Sequence, residues 1–284
     1  MKKILLIIAT FVFVWSVFVE PSVIRTVKYD VGGFGVNKKI VFISDLHLSK
    51  HDARRLARIV NRVNELKPDI VLLGGDYVKW DVSDSIPLEA LSAGLARLKA
   101  KDGVFAVKGN HDNYYENYAS CDGLAQKCKA DNAVTDSLKS AGIRVLDNEN
   151  VNTGGIFIAG AADVKTGLPD LKKAFRGAVA QKTLLLSHSP YIVEWINGNL
   201  KPDVKDIEEI PLVLAGHTHG GQVRIPFVGA IATPDGWGDD ISYGTYRFDK
   251  TLMIVTSGLG TTFLPVRFNC LPEIVVVNLI DIRD

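Results

Sequence analysis

Residues 39–47 read KIVFISDLH, and the fold turns on that stretch. Its first half is a short run rich in β-branched and aromatic residues, which predicts a buried strand, and a carboxylate and an imidazole follow it at once. Downstream, Leu56, Ile59, Val60, Val63 and Leu66 recur at helical spacing with Arg, Asn and Glu between them, and Pro68 closes that helix over residues 53–66. The rhythm repeats with a strand at 70–73, a helix around 88–98 and a strand at 104–107. Apolar runs at 183–187 and 212–215 predict two more strands. Strands alternating with helices make βαβ units whose helices cover a largely parallel sheet. The last third changes character. Residues 243–248, 252–256 and 274–279 are β-rich with turns between them and predict a second, mixed sheet. The expected class is α/β, a sandwich of two sheets flanked by helices.

Polar residues fall just past these strands. Asp45 and His47 follow the first, Asp76 the second, and Asn110, His111 and Asp112 the third; His188 follows a later strand, and His217 and His219 follow another. In open α/β sheets, loops at the carboxyl ends of strands converge on one edge, where ligands bind. The chain holds six histidines, and all but His51 lie in these clusters. Any one of them alone is ordinary cap or turn chemistry. Five strand ends carrying metal-type side chains in order are not.

Read together, Asp45-Leu46-His47, Gly75-Asp76, Gly109-Asn110-His111-Asp112, His188 and Gly216-His217-Thr218-His219 resemble the pattern of the calcineurin-like metallophosphoesterases. The resemblance covers about residues 39–279, and the combination is specific although no single motif is. It implies that Asp45, His47, Asp76 and His219 hold one divalent metal ion, and that Asp76, Asn110, His188 and His217 hold a second, with Asp76 bridging. Oxygen and imidazole ligands without thiolate suit Mn²⁺ first, and Fe or Zn²⁺ as well. It further implies that His111 serves the leaving oxygen and that Asp112 orients its ring. Motifs at 216–226, 257–260 and 264–274 resemble a membrane-associated bacterial branch that includes hydrolases of UDP-2,3-diacylglucosamine. That implies a lipid-linked phosphoester substrate and cleavage of its pyrophosphate. Gly220, Gly221 and Gln222 would then approach the substrate, and Arg267 would either meet a second phosphate or be an arginine at the surface or core edge. A phosphodiesterase or phosphatase for another envelope or nucleotide substrate is the alternative. A non-catalytic scaffold would have lost ligand residues, and none is lost.

The N-terminus divides from the rest. Lys2 and Lys3 precede an apolar run over residues 4–19 that stops at Glu20-Pro21. As a helix it would span about 24 Å, just under the hydrocarbon thickness of a bilayer. It ends in Trp-Ser-Val-Phe-Val rather than the small residues of a cleavage site, which favours an uncleaved anchor over a cleaved signal. Residues 1–20 are therefore expected to tie the protein to the inner (cytoplasmic) membrane, residues 21–38 form a lead-in, and residues 39–284 form the metallophosphoesterase domain. The charges do not choose a side, since Arg25, Lys28, Lys38 and Lys39 oppose the pull of Lys2 and Lys3. Overall, 47% of the 284 residues are hydrophobic and 23% charged, with a net charge of +1, so nothing electrostatic draws in nucleic acid and none is expected as a partner. Cys121 and Cys128 lie close enough to pair in an oxidising compartment, or remain free thiols. The Tyr-rich residues 113–128 show no clear helical period and read as a lid or a solvated loop.

Overall fold

The computed structural model describes residues 2–79, 81–119, 132–197, 210–234 and 241–281. Cys121, Cys128 and the second half of the Tyr-rich segment lie outside them. Its first half is helical, contrary to expectation: α4 (Asn110–Ala119) follows α1 (Lys2–Val14), α2 (Ala53–Glu65) and α3 (Leu88–Leu95). Later helices are α5 (Ala133–Ser140), α6 (Leu171–Ala174) and α7 (Ile192–Asn197).

The first sheet holds β1 (Arg25–Gly32), β2 (Lys38–Ile43), β3 (Ile70–Leu73), β4 (Gly103–Ala106), β5 (Arg144–Val145) and β14 (Glu273–Ile280), in the order β1-β14-β2-β3-β4-β5. The second holds β6 (Glu149–Thr153), β7 (Ile156–Gly160), β8 (Thr183–Leu186), β9 (Leu212–Ala215), β12 (Gly244–Phe248) and β13 (Thr251–Val255), in the order β12-β13-β9-β8-β7-β6. A separate ribbon pairs β10 (Arg224–Ile225) with β11 (Gly229–Ala230). One expectation is corrected. Residues 274–279 do not join the second sheet but return to the first, where β14 lies parallel to β1 and antiparallel to β2. The lead-in supplies β1, the edge strand.

Alternation explains the layering. In β2, Ile40 and Phe42 point between the sheets towards Leu184, Leu186, Leu212 and Leu214, while Val41 and Ile43 point outwards under Leu56, Ile59, Val60 and Val63 of α2. On the far side, Leu185, Val213, Met253 and Val255 pack against Leu171 and Ala174 of α6 and Ile192 and Val193 of α7. Strands buried on both faces read as unbroken apolar runs, as these do.

Direction positions the site. β2, β3 and β4 are mutually parallel, as are β8 and β9, so the loops that leave their ends gather at one edge of the sandwich.

Candidate metal centre

At that edge the backbone turns abruptly. Asp45, His47, Asp76, His217 and His219 all have positive φ, between 41° and 70°. Asp and His tolerate this left-handed region better than most residues, yet five together in one site mark strain held by the surrounding fold. The reversals aim the side chains inward instead of along the strand.

Glycines make the room. A Cβ on Gly109 would come within 2.2 Å of Asp76 Oδ1, and one on Gly216 within 2.3 Å of Asp45 Oδ2. The flanking loops are laced together: Asp45 N–H donates to Gly75 O (3.0 Å), His47 N–H to Asp76 O (3.0 Å), and His217 N–H to the Asp45 carboxylate (3.0 Å). That last bond ties the first sheet to the second.

The seven side chains expected to bind metal converge. Asp76 Oδ2 lies 3.4 Å from His47 Nε2 and 3.4 Å from His188 Nε2. On one side His47 Nε2 faces His219 Nε2 at 3.0 Å, and Asp45 Oδ1 is 3.7 Å from His219 Nε2. On the other, His188 Nε2 faces His217 Nδ1 at 3.1 Å and Asn110 Oδ1 at 3.2 Å. All seven are buried. His188 Nδ1 donates to Gly74 O at 2.8 Å, which turns Nε2 towards the cluster; burial works against its charged form, but the Asp76 carboxylate beside it holds the imidazole well above its usual range.

Burial holds His47 and His219 well below the usual imidazole range, so they stay neutral. Burial works against the ionised form of Asp76, but the imidazoles of His188 and His111 overcome it and hold that carboxyl well below the usual carboxylate range. Burial pushes Asp45 up to about 6. Imidazole nitrogens and carboxylate oxygens converging without thiolate form a donor set for a divalent cation, with Asp45–His47–His219, Asp76–His188–His217 and His47–Asp76–His111 as three such groups. The residues fit a metal.

Other expected roles are corrected. Asp112 does not orient His111. It is fully buried, and its carboxylate accepts from the N–H groups of Asp76 (2.7 Å), Tyr77 (2.9 Å), Gly109 (2.9 Å) and Val78 (3.4 Å). It clamps the loop after β3 to the loop after β4. Burial, with Asp76 beside it, pushes the Asp112 carboxyl up to about 7, and only its anion offers acceptors to all four donors. His111 Nδ1 has no hydrogen-bond partner among the described residues. The His111 ring stands edge-on to His47, 4.5 Å between centroids, beside a cavity of about 260 Å³ at the mouth of the site.

Arg267 cannot meet a phosphate, because it is completely buried and donates to the carbonyls of Gly260 (2.6 Å), Ser257 (2.7 Å) and Cys270 (3.0 Å). The Gln222 amide is committed to the backbone of Thr262, donating at 2.9 Å and accepting at 2.7 Å. Gly220 is buried against Cys270 Sγ, 2.7 Å from where its Cβ would stand. Gly220 and Arg267 brace the loops around His219 from within the fold, and Gln222 ties the same loops together while lining the groove beside His219. Sequence reading missed Lys79, which lines the mouth cavity and pairs with Asp84 at 2.6 Å. Its place three residues past Asp76 was the available signal.

Comparison with known proteins agrees with this geometry. The family model described as calcineurin-like phosphoesterase matches residues 38–221. An uncharacterized metallophosphoesterase of Bacillus subtilis, YkuE, is 31% identical over 92% of this chain and 87% of its own. The phosphodiesterase YaeI of Escherichia coli is 30% identical over 93% of this chain and 91% of its own. A transmembrane protein with a metallophosphoesterase domain from Danio rerio is 29% identical over 85% of this chain and 53% of its own. The chain belongs to the calcineurin-like phosphoesterase family and is a phosphoester hydrolase.

Proposed function

We propose that this family member works with two divalent cations. Asp45, His47, Asp76 and His219 would hold one, and Asp76, Asn110, His188 and His217 the other. The observation that carries the reading is the equal 3.4 Å reach of Asp76 Oδ2 to His47 and His188, which is where a shared carboxylate belongs. When bound, such a pair of cations would neutralise phosphate oxygens and make hydroxide available near neutral pH. Mn²⁺ suits the mixed oxygen and imidazole donors, with Fe or Zn²⁺ as substitutes. The protein's own part is orientation. Asp112 fixes the Asp76 and Asn110 loops in one register, and His111, at the mouth, faces the oxygen that leaves.

The proposed substrate is a lipid-linked pyrophosphate such as UDP-2,3-diacylglucosamine. In support, a groove of about 420 Å³ runs from His219 past Val223, Ile231, Phe263 and Leu264, with apolar walls fit for an acyl chain. The apolar helix at Lys2–Ser22 is long enough to hold the enzyme at the inner membrane, where such a substrate lies. The name of the Escherichia coli relative favours a second reading, a phosphodiester in place of the pyrophosphate.

The test of the metal site is hydrolysis of bis(p-nitrophenyl) phosphate with Mn²⁺. Asn110→Ala and His217→Ala should each abolish turnover while the circular dichroism spectrum is kept. Near-full activity in both would refute the two-cation reading. Turnover of simple diesters without turnover of UDP-2,3-diacylglucosamine would refute the lipid substrate and leave the chemistry standing.

A further inference from the structure

We infer that the β10–β11 hairpin and the loop at 261–266 form a second membrane contact, which seats the mouth of the metal-site groove directly on the surface of a lipid bilayer. Downstream of the N-terminal apolar run, twelve large hydrophobic side chains are exposed among the described residues; five of them, Ile225, Phe227, Val228, Phe263 and Leu264, sit in these two segments, and a sixth, Ile231, directly follows the hairpin. Phe227 is 109% and Phe263 87% exposed, values that belong to side chains presented outwards at a loop tip. Both also hold positive φ, 67° and 57°, where a bulky residue is rare. Residues 225–234 and 256–266 carry no charged side chain. A clustered, uncharged apolar surface beside a site is the mark of a contact partner.

Topology says which partner. β1 runs antiparallel to β2 through β14, so its start, just after the N-terminal helix, lies at the same sheet edge as the metal ligands. The end of that helix is fastened to the same loops. Arg267 N–H donates to Ser16 O at 2.9 Å, Cys270 N–H to the Glu20 carboxylate, and Trp15 Nε1 to Glu20 Oε2 at 2.8 Å. Trp15 and Pro226, beside the hairpin tip, line one cavity together with Phe268. α1 buries none of its residues, and Trp15, which follows it, is the residue that shares a cavity with Pro226. An aromatic ring at the end of an apolar helix, followed by exposed aromatic loop tips at the same edge, describes a surface resting at the headgroup level. The groove between hairpin and loop opens there and ends at His219.

The inference rests on α1 lying in the membrane, and the experiment separates the two. The full-length chain is reconstituted into phosphatidylcholine–phosphatidylglycerol vesicles, with nitroxide labels on Phe227→Cys, Phe263→Cys and, at the far end of α2, the exposed Glu65→Cys. The signal from the wild-type chain labelled in parallel is subtracted. Flotation reports the anchor, and collision with oxygen against collision with a water-soluble nickel chelate reports the loops. The expected result is flotation of all forms, with the oxygen-to-nickel ratio at 227 and 263 several-fold above that at 65. Nickel access equal to that at 65 overturns the docking surface and spares the anchor. Exclusion of both probes, as against a second protein copy, also overturns it. Failure to float overturns anchor and docking surface together, while hydrolysis of bis(p-nitrophenyl) phosphate remains a separate readout of the metal site.

Discussion

Asp112→Asn is the most informative single change in the molecule. The two Asp112 oxygens take four backbone N–H groups, those of Asp76 and Gly109 on Oδ2 and those of Tyr77 and Val78 on Oδ1. Asparagine keeps the shape and one acceptor oxygen. Whichever way its amide turns, two buried N–H donors then face an N–H₂ group and lose their acceptor. At about 1–3 kcal/mol for each unsatisfied buried donor, the loss is roughly 2–6 kcal/mol, a large part of a typical domain's stability. The same shift frees the loops bearing Asp76 and Asn110, so turnover should fall by about 10² or more. Urea unfolding of the detergent-solubilised full chain, followed by near-ultraviolet circular dichroism, measures the first effect, and hydrolysis of bis(p-nitrophenyl) phosphate the second. A variant as stable as the parent to within about 0.5 kcal/mol, yet inactive, would refute the clamp. It would return Asp112 to the role of orienting His111.

His111→Ala should keep the full metal content measured by mass spectrometry and lose about 10²–10⁴-fold in kcat, because it faces the mouth instead of holding a cation. Loss of a metal ion instead would make it a ligand. Gly109→Ala drives a methyl group to 2.2 Å from Asp76 Oδ1 and 2.7 Å from His188 Cε1. Metal content and activity should fall together, and an active, fully loaded variant would refute the tight fit. Arg267→Lys leaves the carbonyls of Ser257, Gly260 and Cys270 short of donors and should lower Tm by roughly 6–12 °C, taking about 3 kcal/mol for the lost buried network. An unchanged Tm with a raised KM would instead put Arg267 on a phosphate.

What could be read beforehand depended on how local the signal was. The strands at Ile70–Leu73 and Leu212–Ala215 are unbroken apolar runs between turns, and their bounds were visible in the residues themselves. So was the identity of the clustered side chains, because each follows its strand by only a few residues. Partner choice is not local. Nothing in EIVVVNLI says that it inserts between Arg25–Gly32 and Lys38–Ile43 instead of joining its sequence neighbours. The role of Asp112 and the phosphate reading of Arg267 failed for the same reason. A carboxylate next to a histidine suggests a pair, and an arginine suggests an anion. Backbone groups supplied by other loops answer both, and those loops meet only in the folded chain. The exposed Phe227 and Phe263 were likewise invisible, since an aromatic residue in sequence reads as core.

The placement of β14 also sets a clock on synthesis. Gly32 leaves the ribosome roughly 250 residues before Ile280, the last residue of the strand that separates β1 from β2. At about 5–20 residues per second, the edge of the first sheet waits some 10–50 s with β1 unpaired, its neighbouring helix already available to a membrane. During that interval β1 and the free edge of β2 have no ladder partner, an opening for wrong pairing. Tethering by α1 would keep neighbouring nascent chains apart while they wait. A chain that stops short of residue 273 lacks β14 and has nothing to join β1 to β2, so the first sheet cannot close.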